Sequence, residues 1–162
     1  MERFLQLVKE ANRAFETADH LAYVTYPVIN DNKLTISIAE NLFQALTKGM
    51  DAILYYDRLY KRIMFLPQEF NSKLELFKQS SAKRYNISRE TIQLLKDFSE
   101  ISSARKESPI EFSRKEKFVI CSTNYKLRTL TIQKMKDAIN QTKPFISTLN
   151  SIYNQNVRRF RN

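Results

Sequence analysis

Glycine is almost missing from this chain of 162 residues: Gly49 is the only one. Loops that cradle phosphate need several glycines, because backbone N–H groups must approach the anion closely. Neither G-x-x-x-x-G-K nor G-x-G-x-x-G can be written, so nucleotide-dependent enzymes of those types are excluded. A single cysteine, Cys121, excludes an internal disulfide. With a single histidine, His20, it falls short of the roughly four ligands of a structural zinc centre. No metal or other cofactor is expected. A Ser–His or Cys–His nucleophilic pair would have to use His20. Cys121 follows Phe118-Val119-Ile120, the setting of a small apolar residue in a packed strand. With one glycine and four prolines, turn formers are scarce, which favours long helices. No apolar run approaches the ~20 residues of a membrane span. The start, Met1-Glu2-Arg3-Phe4-Leu5, does not read as a secretory leader. These features predict a soluble, cytoplasmic protein without membrane contact.

Acidic residues are what the second half lacks. Residues 1–81 carry ten Lys/Arg and ten Asp/Glu; residues 82–162 carry seventeen and seven, which accounts for the whole formal charge of +10. No acid follows Asp137, and the chain ends Val157-Arg158-Arg159-Phe160-Arg161-Asn162. Such asymmetry points to an anionic partner at one end of the molecule, RNA or DNA first and an acidic protein surface second. Without a long basic amphipathic helix, lipid is the weakest candidate.

Periodicity predicts a mainly α fold. Phe4, Val8, Ala11, Phe15, Ala18 and Ala22 recur at alternating spacings of four and three, the seam of a helix over about 2–26 that stops at Pro27. Asp31 or Asn32 can cap a second helix over about 33–63, with Ala39, Leu42, Leu46, Met50 and Ile53 as its seam. Their short connection implies an antiparallel pair. Pro67 opens a third helix with Phe70, Leu74 and Phe77 inside, and Ser88 caps a fourth with Ile92, Leu95, Phe98 and Ile101 inside. After Ser108-Pro109 the β-branched and aromatic content rises, predicting a hairpin of Phe112–Cys121 against Tyr125–Thr131. With Cys121 opposite Tyr125, Val119 meets Leu127 on the face expected to cover the helices. Ile132, Met135, Ile139, Ile146, Leu149 and Tyr153 hold one register across Pro144, which suggests one kinked helix, although Pro144 can also open a new one. The expected organisation is one domain, 1–153, and a basic tail, 154–162.

The stretches Ala11-Asn12-Arg13-Ala14-Phe15, Ala22-Tyr23, Ile38 to Leu46 and Asp51-Ala52-Ile53-Leu54 resemble the small helical HEPN domains of archaea and bacteria, over roughly the first hundred residues. The resemblance implies a bundle built on two long antiparallel helices, often dimeric. Some HEPN proteins are ribonucleases with an Arg, four to six residues, then a His; others are non-catalytic partners of nucleotidyltransferases. Arg13 and His20 match that spacing, seven residues and two turns apart on one helix face. They could serve as the cation and the base of a metal-independent ribonuclease meeting its copy across a homodimer. The helix register sets them nearly opposite the apolar stripe, beside Glu2, Lys9 and Glu16, as an ordinary solvated face.

The chain is therefore expected to be non-catalytic and to engage RNA or DNA through Arg114, Lys115, Lys117, Lys126 and Arg128 of the hairpin and Arg158, Arg159 and Arg161 of the tail. The competing reading of the hairpin lysines is protection of an exposed strand edge. Tyr55, Tyr56 and Tyr60, beside Asp57, Arg58, Lys61 and Arg62, read as caps of the core with their hydroxyls in water, or as the wall of a pocket.

Overall fold

A computed structural model describes residues 1–107, 110–114, 117–121 and 127–159. The side chains of 107, 110–114, 121, 127, 128 and 159 fall outside that description. The chain is mainly helical, as its periodicities predict. Helix α1, Glu2–His20, runs into a π-helical turn, Leu21–Thr25, and a short α2, Tyr26–Ile29. The rod thus passes through Pro27 and ends at Asn30. The π turn explains how: proline has no N–H to give the ladder and its ring crowds the carbonyl four residues back. The wider turn, closed by Tyr26 N–H to the Leu21 carbonyl, falls just before it.

Helix α3, Leu34–Leu59, returns antiparallel to α1, shown by the contacts Phe4 with Tyr56 (ring centroids 5.1 Å apart) and Glu10 with Lys48 (2.8 Å). The C-terminal helix α7, Ile132–Arg159, is one helix with Pro144 inside it. It lies parallel to α3, since Phe145 meets Gly49 and Asn156 meets Tyr56. These three helices hold the core. Phe4, Val8, Ala11, Ala18 and Ala22 of the first seam are buried, and so are Leu42, Leu46, Met50 and Ile53 of the second. Phe15 is only half-buried, while Leu7 and Ala14 join the inner face.

The lone glycine sits mid-helix in α3 with ordinary helical backbone. Its use is proximity: a Cβ there would stand 2.5 Å from Phe145 Cε1 and 2.8 Å from Cζ. Phe145 is fully buried and packs edge-on against Phe77, so it has nowhere to retreat. Among the described residues, the three non-glycine positions with positive φ, Asn30, Lys61 and Asn86, all follow helix ends.

The third helical segment begins at Phe70 rather than at Pro67. It comprises α4, Phe70–Leu76, a second π turn, Phe77–Ser81, and α5, Ala82–Arg84. Helix α6, Arg89–Glu107, is capped as expected, the Thr91 N–H donating to Ser88 Oγ at 3.2 Å.

The hairpin is part of a three-stranded antiparallel meander. The segment expected as one strand is two, β1 Ile110–Arg114 and β2 Lys117–Cys121, with Arg114 opposite Lys117. The run of four charges from Arg114 to Lys117 interrupts the alternation there. Strand β3, Leu127–Thr131, pairs with β2 so that Cys121 faces Leu127 and Val119 faces Thr129, two residues from the expected register. A shift of two preserves the faces, but the inward face is the opposite of the expected one. Phe118, Ile120 and Leu130 enter the core, because they offer more large apolar surface than Val119 with Thr129.

The expected tail 154–162 is corrected as well. Helix α7 continues to Arg159, and Asn156 is buried at 1% exposure.

Candidate functional site

Of the cations singled out in the sequence, the two whose side chains are described, Lys117 and Arg158, do not share one surface. Lys117 is exposed in β2, opposite Thr131, the residue before α7. Arg158 is exposed in the last turn of α7. A helix of that length separates the two by about 40 Å. Arg114 and Arg128 lie in β1 and β3 near Lys117, and Arg159 ends α7, their side chains being outside the described part. Lys115, Lys126 and Arg161 lie outside the described residues altogether.

What Arg158 joins is the C-terminal end of α3. That end is a Schellman motif in which Arg62 N–H reaches the Asp57 carbonyl at 2.8 Å and Lys61 N–H the Arg58 carbonyl at 3.0 Å. Glycine is the usual residue at the left-handed position; here it is Lys61, with φ 55°. An L side chain there costs about 1 kcal/mol. The apolar contact that often closes this motif is replaced by an ion pair, Arg62 Nη1 to Asp57 Oδ1 at 3.3 Å.

Asp57 is fully buried, and four donors converge on it. Tyr85 Oη (2.7 Å) and Arg62 meet Oδ1, while Ser81 Oγ (2.6 Å) and Arg84 Nη1 (2.6 Å) meet Oδ2. Burial first, and then the hydrogen bond to Asp57, push the Tyr85 hydroxyl well above the usual phenol range. The network clamps the end of α3 to residues 81–85. It is fully paired, so its role is to hold the loop.

The Tyr56 hydroxyl is buried rather than in water, and that of the partly exposed Tyr60 shares its partner. Asn156 Oδ1 accepts from Tyr56 Oη at 3.1 Å and Tyr60 Oη at 3.2 Å, and Asn156 Nδ2 donates to the Ile152 carbonyl. The Arg62 guanidinium lies over both rings, 5.5 Å from the Tyr56 centroid and 5.3 Å from that of Tyr60. This layered cluster joins the end of α7 to the end of α3.

Around it Arg58, Lys61, Lys83 and Arg158 are exposed, and none makes an ion pair among the described residues. Arg58 and Lys61 belong to the electrically neutral half of the sequence, so summing charge by halves misses them. The local signal was legible: Arg58, Lys61 and Arg62 fall within five residues with no acid among them.

Arg13 and His20 are both exposed, as the helix register requires. Arg13 borders a shallow depression with Glu10, Thr17, Gln44 and Lys48, whereas His20 Nδ1 is 3.4 Å from Thr25 Oγ1. They stand about 10 Å apart along the axis. A separate cleft of about 480 Å³ lies between α3 and α6, floored by Ala39, Phe43 and Phe98, with the Arg105–Glu40 ion pair at its rim. Among the described residues no group of three or more His, Cys, Asp or Glu could hold a metal ion, and no helix is long and apolar enough to cross a membrane.

No protein-family model, curated protein or solved structure matches this chain.

Proposed function

We propose that the chain is a non-catalytic, HEPN-like helical module that binds RNA or DNA electrostatically, with the C-terminal end of the bundle as its main contact. The observation that supports this most is the set of exposed, unpaired cations Arg58, Lys61, Lys83 and Arg158 gathered around the ends of α3 and α7. In the sequence Arg161 follows Arg158 by three residues. Flexible cations without a base-reading helix or ribbon suit phosphate contact, which positions a strand and carries little sequence information. The sheet around Lys117 would be a second, separate contact rather than an extension of the first.

Binding should be sequence-tolerant and steeply dependent on salt. Each phosphate neutralised contributes about 0.7–0.9 to the log–log salt slope. The test is a titration of the full chain with single-stranded RNA, single-stranded DNA and duplex at low and moderate salt. The joint substitution Arg58→Ala, Lys83→Ala and Arg158→Ala should weaken binding and reduce the slope by about 2. No binding by the wild type to any of these at low salt would remove the reading in favour of an acidic protein partner.

A further inference from the structure

The loop after α3 presents two large apolar side chains to solvent. Met64 is 92% exposed and Phe65 72% exposed, whereas Ile63 beside them is buried. The conformation is imposed: the Schellman turn at Lys61, the Asp57 clamp on Arg62 and the burial of Ile63 fix the chain on one side, and α4 fixes it on the other. Leaving the Phe65 ring in water is costly, since full burial of such a side chain is worth about 1.5–3 kcal/mol.

We infer that Phe65 is a stacking platform for an unpaired base, with Arg58 and Lys61 on the phosphates that flank it. This rests on the nucleic-acid reading above and names the strand type, single-stranded RNA or DNA. Proteins that bind single strands pair a basic surface with aromatic faces, because every base offers a π-face whatever its identity. Here the exposed ring and the free cations sit on one short segment, Arg58 to Phe65. Lipid insertion fits less well. Peripheral membrane binding rests on a helix with a broad apolar face, and this loop offers two side chains. The other exposed apolar group, at the far end of the bundle, is Tyr23, Val24, Val28 and Ile29; its one ring, Tyr23, is less exposed at 42% and is already covered by Lys136, whose Nζ stands 5.0 Å from the ring centroid.

The experiment uses fluorescence anisotropy of a labelled 20-nucleotide oligo-U and oligo-dT with the full chain across a range of salt. Phe65→Ala should weaken binding by about 5- to 160-fold, the range expected for losing one stacked base. Its salt slope should equal that of the wild type, because no cation is removed. Phe65→Trp should retain affinity and Phe65→Leu should not. Arg58→Ala with Lys61→Ala should instead lower the slope by about 1.4 on a single strand. Because Phe65 is exposed, all Phe65 variants should keep the wild-type melting temperature. Wild-type binding unaltered in Phe65→Ala, or fully restored by Phe65→Leu, overturns the stacking role and leaves the electrostatic reading standing. No wild-type binding to either oligonucleotide overturns the stacking role, and the electrostatic reading falls with it only if duplex is not bound either. In that event, sedimentation with vesicles containing one-third anionic lipid, lost in Phe65→Ala and in Met64→Ala, would assign the loop to a membrane surface instead.

Discussion

Asn12 and Asn150 form a reciprocal amide pair: Asn12 Nδ2 donates to Asn150 Oδ1 at 2.8 Å, and Asn150 Nδ2 donates back to Asn12 Oδ1 at 2.9 Å. The pair joins α1 to α7 across 138 residues of sequence. Asn12 Nδ2 also reaches the Val8 carbonyl of its own helix. Truncating one partner leaves the other amide part-buried without its mate, at a cost of about 1–3 kcal/mol. The double change Asn12→Ala with Asn150→Ala should cost less than the sum of the two singles. Urea denaturation of the four proteins measures the coupling, and strict additivity would mean that the pair contributes nothing.

Gly49→Ala tests the close approach of α3 and α7. Helix propensity alone would favour alanine by about 1 kcal/mol. The Cβ would collide with the fully buried ring of Phe145, and overpacking of this kind costs about 1–3 kcal/mol. A net loss of stability is expected, smaller in a Phe145→Leu background where the ring is gone. A net gain in the wild-type background would show that α7 moves aside freely.

Alkaline pH should expose the role of Tyr85. Its hydroxyl titrates above the ordinary phenol value in the folded chain, through burial and its bond to Asp57. The folded state therefore holds a proton that the unfolded chain releases near pH 10. The stabilisation is fully present below about pH 10 and is lost as pH rises above that value. Unfolding midpoints compared between pH 8 and 11 should fall more steeply for the wild type than for Tyr85→Phe. Equal slopes would place the hydroxyl in water.

Removing residues 154–162 should destabilise the protein, although the sequence there has lost its apolar register. Asn156 accepts from Tyr56 and Tyr60, and without it the hydroxyl of buried Tyr56 has no partner. About 1–3 kcal/mol is expected for that group. Asn156→Ala should reproduce most of the loss, and a truncated chain as stable as the full one would show that the last turn of α7 is dispensable.

The long helices were readable because their seams recur at helical spacing and their partners are apolar. Leu42, Leu46 and Met50 had no plausible place except a core. The sheet was readable as strand-forming sequence but not in its inward face, because Phe118, Val119 and Ile120 are consecutive apolar residues and alternation cannot rank them. Asn156 was unreadable: a buried polar side chain is defined by partners a hundred residues away in Tyr56 and Tyr60. The cationic end was missed for a similar reason. Arg58 and Lys61 share an end of the bundle with Arg158 only because α3 and α7 run parallel, and charge summed along the chain does not register parallel helices.

The π turn at Leu21–Thr25 ties the length of the chain to the identity of one residue. Its wider loop holds one residue more than an α turn, so a single deletion at Thr25 would convert it to regular α-helix and shift Pro27 by one place in the ladder. Proline in an uninterrupted ladder costs about 3 kcal/mol, so the deletion should be severe in the wild type and much milder in Pro27→Ala. Chain length at this point is not neutral spacing: the chain can lose the extra residue readily only if it also loses the ring.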